Sequence, residues 1–357
     1  MLQLGSIPTL VVSSALVTRA IFKVHDIVFS GRPQLHGAKK LSYNFFNISL
    51  APYGEYWREV RKIATLELFS MRKVKSFRFM REEEVAHMLE FIDKGRLNGP
   101  VDVSALTLSL ANIVTCRAAY GTKTDQNKKF FAVLHDAQQL FIEVNIADVF
   151  PSLGWINKFN GVDLKVERCF KELDMFYNQV IEDHRDPSRR ELDHDRKDFM
   201  DILLDIQRDL NQAIALADDH FKGILMDIFF GGSDTSAATL VWTMTELIKH
   251  PKIMKKAQDE VRDIAKGKEY VEESDLPNLH YLQLVLKESF RLHPPAPLLI
   301  PRETIEDCEV MGFHIPAKTR VFVNAKAIGL DPECWEDPYR FKPERFLSSS
   351  IDFRGQD

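Results

Sequence analysis

Lys287-Glu288-Ser289-Phe290-Arg291 is the stretch on which the fold turns. Glu288 and Arg291 stand three residues apart, so on a helix they share a face and can pair. A lone pair at this spacing is usually a solvent-exposed bridge worth about 0.3–0.5 kcal/mol. Here Leu282, Val285, Leu286 and Phe290 make the helix apolar around much of its circumference. That argues for a buried pair, which then needs further polar partners. Pro294, Pro295 and Pro297 close the helix, because proline lacks the N–H donor and restricts the residue before it.

Upstream, apolar residues recur at i, i+3 and i+4 and predict helices over 55–68, 72–94, 105–120, 128–144, 165–185, 198–208, 218–249 and 251–266. The N-terminal 30 residues read as a short strand pair at 9–13 and a helix carrying Val17, Ala20, Ile21, Val24 and Ile27, stopped by Gly31-Arg32-Pro33. Residues 34–56 read as a long loop, of the kind that often carries function. Residues 186–197 read as a solvated linker of mixed charge. Downstream, 308–324 alternates in the manner of a β-hairpin.

Composition limits the rest. With 357 residues, 47 Lys+Arg against 52 Asp+Glu and a net charge of -5, the chain lacks the basic excess of a phosphate-neutralising protein, so no nucleic-acid partner is expected. A 45% apolar content excludes general disorder, and 16 Gly against 25 Phe favours a helix-rich fold with a large core. Length alone leans to two domains. Cys116, Cys169, Cys308 and Cys334 are too scattered for a disulfide framework or a zinc site. The apolar run 7–17 is too short to cross a membrane, which takes about 20 residues.

Three further features carry chemistry. Gly231-Gly232-Ser233-Asp234-Thr235-Ser236 lies inside the helix predicted over 218–249, where each glycine costs about 1 kcal/mol relative to alanine. Either the helix kinks to admit another group, or one helix caps there and a second starts at Ser233 or Asp234. It is not a nucleotide loop, since neither GxGxxG nor GxxxxGK[ST] is present. Trp57 and Arg61 are i, i+4 neighbours that can offer an indole N–H and a guanidinium to one anion; the plainer reading is a core Trp beside a surface Arg. Pro343-Glu344-Arg345-Phe346 follows Trp335-Glu336-Asp337-Pro338 in a segment of little regular pattern.

Taken together and in this order, these residues resemble a plant cytochrome P-450, a haem-thiolate monooxygenase. The resemblance runs from Ala51-Pro52-Tyr53-Gly54-Glu55-Tyr56-Trp57-Arg58 to Phe341-Lys342-Pro343-Glu344-Arg345-Phe346. It implies a mainly α fold with small β-sheets, formed by one domain over 1–357 in place of two. It implies haem b, iron protoporphyrin IX, as cofactor, and insertion of one oxygen atom of O2 into a lipophilic small molecule of plant secondary metabolism. Electrons would come from NADPH through a separate NADPH-cytochrome reductase. Arg58, Arg61, Lys62, Arg72 and Lys73 could dock that partner or form a plain solvated face. The location implied is the cytosolic face of the endoplasmic reticulum membrane.

Residue by residue, Glu288, Arg291 and Arg345 match the family's buried structural triad. Trp57, Arg61 and Arg302 match holders of the haem propionates. Gly231, Gly232, Asp234 and Thr235 match the motif that crosses the distal face of the haem, where the glycines leave room for O2. Thr235 would hold a proton-delivering water and Asp234 would feed it. Phe45, Phe46, Ile228, Leu298 and Leu299 fall where the resemblance places the substrate pocket, with core packing the competing role for Phe45, Phe46, Leu298 and Leu299.

The match has gaps. The family's FxxGxRxCxG segment with its cysteine ligand does not occur before Asp357, and none of the four cysteines matches it, so no metal ligand is assigned in this chain. Met1 stands inside the family's first strand pair with no anchor before it, and Leu330 stands where arginine is usual. The fold is therefore expected to be truncated at both ends, incomplete at the C-terminus. Two expectations follow: a monooxygenase of which this chain is part, or a truncated product that retains haem poorly and is catalytically inactive.

Overall fold

Helical periodicity dominates the chain, and the structure follows it. A computed structural model describes residues 1–95, 99–121, 128–209, 213–268, 270–347, 349 and 351. Strands β1 (Leu2–Leu4) and β2 (Ile7–Val12) lead into helices α1 (Ala15–Lys23), α2 (His36–Leu41) and α3 (Glu55–Ile63), the last widening into a π-turn at Ala64–Leu68. Then come α4 (Met71–Ser76), α5 (Arg78–Gly95), α6 (Val103–Tyr120), α7 (Lys128–Ile142), α8 (Ile146–Val149), α9 (Val162–His184), α10 (Pro187–Arg190) and α11 (Phe199–Arg208). The central run is α12 (Asp218–Gly232) and α13 (Asp234–Lys249), followed by α14 (Pro251–Ile264) and α15 (His280–Leu292). Strands β3 (Arg302–Glu303), β4 (Cys308–Val310), β5 (Phe313–Ile315) and β6 (Arg320–Val323), helix α16 (Ala325–Gly329) and a 3-10 turn at Pro343–Phe346 complete it.

The fold is thus mainly α with small sheets. One sheet has the order β1-β2-β6-β3, with β2 parallel to β6 in the register Thr9 to Arg320 through Val12 to Val323. The second is the β4–β5 hairpin, whose turn residues Met311 and Gly312 both have positive φ. The hairpin expected over 308–324 is therefore only its first half, because β6 leaves to close the N-terminal sheet.

The largest core surrounds α12. Phe221, Ile224, Leu225, Met226 and Phe229 are buried against Cys116 and Tyr120 of α6, Leu173, Tyr177 and Ile181 of α9, and Leu203 of α11. Each large apolar side chain so buried contributes about 1.5–3 kcal/mol. This packing holds a helix that its three glycines, Gly223, Gly231 and Gly232, weaken.

Five local expectations change. Helix α1 ends at Lys23, and Val24 and Ile27, beyond it, are exposed. The 34–56 loop contains α2, a six-residue helix too short to show a period; its Gly37 rests on the Leu140 carbonyl with no room for a Cβ. The 218–249 helix breaks at Ser233, yet Ser233 N–H still reaches Phe229 O (3.1 Å) and Ala237 N–H reaches Ser233 O (3.0 Å). With Ser233 at φ -85°, this is a distortion inside one run rather than a left-handed cap.

The 186–197 segment is no plain solvated linker. It contains α10, and Arg189 turns inward to Asp198 (2.6 Å) and bidentately to Asp201 (2.8 Å to each oxygen). Lys73, counted among the exposed docking bases, is fully buried and donates to the His194 and Lys197 carbonyls.

His184, at the end of α9, is buried beside this network. Its Nδ1 lies 2.7 Å from Val180 O and its Nε2 lies 2.9 Å from Asp198 Oδ2. Both partners accept, so the ring donates from both nitrogens and is an imidazolium. Burial pulls its pKa down, but the hydrogen bond and charge of Asp198 outweigh burial and the repulsion of Arg189, leaving the pKa raised. An unfolded histidine titrates near about 6.5, so this stabilisation is fully present below that pH and is lost as pH rises through the higher folded value. Thermal melts of the wild type should fall from pH 6 to pH 9 more steeply than those of His184→Gln; parallel slopes would sink the assignment.

Candidate active site

The break between α12 and α13 leaves backbone open. Gly231 is exposed, and a Cβ there would meet no atom within 4 Å, whereas one on Gly232 would come within 3.0 Å of Thr115 Oγ1. The first glycine therefore faces free space and the second faces α6. The Thr235 hydroxyl donates to Gly231 O at 2.6 Å, which commits its proton and leaves its oxygen as an acceptor. Thr239 and Thr243 repeat this bond at 2.8 and 2.7 Å, a threonine stripe that the sequence reading passed over. Asp234 is half-buried beside the opening, and the hydroxyl of Ser233 is buried with no hydrogen-bond partner among the described residues.

Further along, in α15, Glu288 is completely buried. Arg291 donates to it bidentately, Nε to Oε2 at 2.7 Å and Nη2 to Oε1 at 2.9 Å. Arg345 Nε approaches both oxygens at 3.0 and 3.1 Å, and Lys342 N–H reaches Oε1 at 2.8 Å. The remaining guanidinium protons go to main-chain carbonyls: Gly329 and Pro338 from Arg291, Glu336, Asp337 and Arg340 from Arg345. Two cations on one carboxylate leave an excess positive charge, and these carbonyl dipoles take it up. Gly329 is required, since a Cβ there would strike the Arg291 carbonyl.

Trp57, Arg61 and Arg302 do not contact one another as a set. The Trp57 indole donates to Ile48 O at 3.0 Å, with the exposed Arg61 guanidinium over its ring at 5.3 Å. Arg302 is held by Asp26 (3.2 Å) and Phe29 O (3.1 Å). Arg32, read from sequence only as part of a helix stop, donates to the carbonyls of Ile300 (3.1 Å) and Pro301 (2.9 Å). Burial and then repulsion from Arg302 pull its pKa down to about 10, against the opposing pull of Asp227 and Asp26. Two neighbouring arginines with partly compensated charge form a natural seat for an anion.

The pocket residues scatter. Phe45 is buried with Leu35, Ala38 and Leu50, so it is core and not a pocket wall; positive φ at Tyr43, Asn44 and Phe45 turns it inward. Phe46 is half-buried against His220 (4.2 Å) and Tyr56 (5.6 Å). Ile228 packs on the main core, while Leu298 and Leu299 are over 40% exposed beside Ile300.

The chain matches the cytochrome P450 family over residues 1–357. It belongs to that family. It is 54% identical to strychnine-11-hydroxylase of Strychnos nux-vomica over 363 residues, covering 100% of this chain and 71% of that protein. It is 54% identical to cytochrome P450 71A9 of Glycine max, covering 99% and 72%, and 43% identical to phenylacetaldehyde oxime monooxygenase of Prunus mume, covering 100% and 68%. A zebra fish cytochrome P450 solved with progesterone superposes with a TM-score of 0.81 at 25% identity, covering 97% of this chain and 79% of that one.

The chain is accordingly a plant P450 with haem-dependent monooxygenase function, and these matches do not favour the inactive-product alternative. The family implies haem, a redox partner, a substrate and O2. Of the described residues, Gly231 faces free space, and Arg32 and Arg302 are cations of the kind that suits haem carboxylates. The described residues offer the haem iron no thiolate. Burial pushes the Cys169 thiol up to about 12, and burial followed by acidic neighbours raises Cys308 and Cys334 as well. Cys116 is buried in α6. Arg354–Asp357, where the sequence reading looks for the approach to a ligand segment, lie outside the described residues. Val103–Tyr120 is the one described helix long and apolar enough to cross a membrane, but it packs against α5, α11, α12 and α13.

Removing one partner from a buried charge cluster costs about 3–5 kcal/mol, because the others stay buried and unpaired. Glu288→Gln and Arg291→Ala should each lower stability by that amount in urea unfolding, and Arg345→Ala nearly as much. A loss under 1 kcal/mol in all three would contradict the geometry.

Proposed function

We propose that this P450 oxidises a lipophilic small molecule at the α12–α13 opening, with Asp234 and Thr235 handling protons. The supporting observation is Gly231: an exposed glycine in the middle of the longest helical run, with empty space where a side chain would stand and the Thr235 hydroxyl bonded to its carbonyl. Haem, when bound, supplies the chemistry that inserts one oxygen atom of O2 into a substrate C–H bond using NADPH-derived electrons. Arg32, Arg302 and Arg61 would hold its carboxylates and Gly231 would leave room for it, whereas the Trp57 N–H is already given to Ile48 O and Gly232 faces α6.

This chain's own residues do the positioning. Thr235 Oγ1, with its proton given to Gly231 O, accepts from a water at the opening, and Asp234 beside it exchanges the proton with solvent. Glu288, Arg291 and Arg345 hold the 329–346 segment against α15 as the structural triad. The exposed apolar run Leu298, Leu299 and Ile300 and the half-buried Phe46 and Ile228 suit a lipophilic guest. Relatives named for strychnine, norfluorocurarine and phenylacetaldehyde oxime support the small-molecule class.

The location we infer is a membrane surface, the cytosolic face of the endoplasmic reticulum. Phe150, Leu153, Trp155, Phe159 and Leu164 are exposed around α8 and the turn after it. Ser6 docks on Val149 O (3.0 Å), which brings the exposed Leu2 and Leu4 of β1 to that end. An apolar patch of this kind fits a lipid surface. The redox partner we infer is NADPH-cytochrome reductase, with Arg58, Arg61, Lys62 and Arg72 the remaining docking bases.

Two measurements test this reading. The 357-residue chain reconstituted with haem, reduced and exposed to carbon monoxide should show no thiolate-type Soret shift, since Cys169, Cys308 and Cys334 resist ionisation and Cys116 is buried in α6; the shift would overturn that expectation. In protein that turns over, Thr235→Val should cut product formed per NADPH by about tenfold or more while Thr235→Ser preserves it. Unchanged coupling in Thr235→Val would remove the hydroxyl from the mechanism.

A further inference from the structure

Asp227 sits one turn before Gly231 on α12, on the same face. Its carboxylate lies deep, although the residue keeps some exposure, and its hydrogen bonds among the described residues go to one short piece of chain. Oδ2 accepts the Ile48 and Ser49 N–H groups, both at 2.7 Å. Oδ1 accepts the Ser49 hydroxyl at 2.7 Å and Asn47 Nδ2 at 2.9 Å. Asn47 Nδ2 also donates to Ser49 Oγ at 2.8 Å, which ties the donors together.

The same loop rests on bare backbone one turn earlier. A Cβ on Gly223 would lie 2.8 Å from Phe46 C and O and 3.0 Å from Asn47 N. From the other side, Tyr56 donates to Phe46 O at 2.6 Å and Trp57 Nε1 to Ile48 O at 3.0 Å. The Ile48 residue thus joins two helices: its N–H goes to α12 and its C=O receives from α3.

A buried carboxylate in mid-helix is unfavourable unless every lone pair is used, and burial does push the Asp227 carboxyl up while the four donors pull it back. It caps no helix end, and its charge acts on Arg32 of the anion seat. We propose that Asp227 is a positioning residue, which holds residues 46–49 against α12 beside the Gly231 opening and, through Ile48, aims the Trp57 indole N–H. Its consequence for substrate and haem placement rests on the monooxygenase reading; the clamp itself does not.

The test uses the full chain. Hydrogen exchange at the Ile48 and Ser49 amides and Trp57 emission, taken as the difference from Trp57→Phe, are measured in wild type, Asp227→Asn, Asp227→Ala and the double variant Asn47→Ala/Ser49→Ala. Asp227→Ala should speed exchange at both amides by roughly tenfold or more and shift Trp57 emission to the red, with Asp227→Asn intermediate and α13 unchanged. If Asp227→Ala does not fold, Asp227→Asn and the double variant decide, each with the same two changes in smaller degree. Unchanged amides, unchanged Trp57 emission, or a loss of protection spread evenly over α6, α12 and α13 would each overturn the proposal. Neither readout needs haem, reductase or substrate, so a failed clamp and a failed monooxygenase reading are told apart.

Discussion

The rest of the structure hangs on a single carboxylate. Glu288 has no solvent contact and accepts from Arg291, Arg345 and the Lys342 N–H together. Buried charge is unfavourable in isolation, so such a cluster is viable only when complete. Completion here means drawing in the carbonyls of Gly329, Glu336, Asp337, Pro338 and Arg340, which lie in a stretch with little regular hydrogen bonding of its own. The 329–346 segment has a defined path because charge, rather than helix or sheet, holds it to α15. Since α15 packs against α13 and α14, the cluster also fixes that segment relative to the central helical run.

Along that run, stability and openness are divided between two halves. The first half of α12 is buried nearly all round, from Phe221 to Phe229. Beyond it, two glycines remove side chains where space is wanted, at about 1 kcal/mol each in helix propensity. Core packing upstream and the Thr235, Thr239 and Thr243 hydroxyl bonds downstream hold the chain through the distortion. Asp227 stands at the boundary and turns the same helix into an anchor for residues 47–49. The opening, Asp234 and Thr235, and the anchored loop then lie along one helical run.

Much of this was legible in advance. The long helices declared themselves by apolar recurrence, because burying one face of a helix repeats every three to four residues whatever the partner. The Glu288–Arg291 pair was legible as buried because its own helix was apolar around it. What escaped were features with no period: α2 and α10, of six and four residues, exist because tertiary neighbours complete them. Lys73 looked like an exposed base, yet two main-chain carbonyls from the 194–197 turn bury it. Phe45 could be read as pocket wall or as core, and only the fold, with positive φ at Tyr43, Asn44 and Phe45, buries it beside Leu35, Ala38 and Leu50. Arg32 looked like a helix stop, and only the fold puts it beside Arg302.

Local sequence therefore determined which segments are helical, which residue types carry the chemistry and which family they resemble, since all three depend on spacings of a few residues. Tertiary structure alone decided which charges are buried and where they point. Glu288 meets Arg345 across 57 residues, and Asp227 meets Ser49 across 178. Such pairings depend on how packed helices bring distant segments together, and no short-range pattern encodes that.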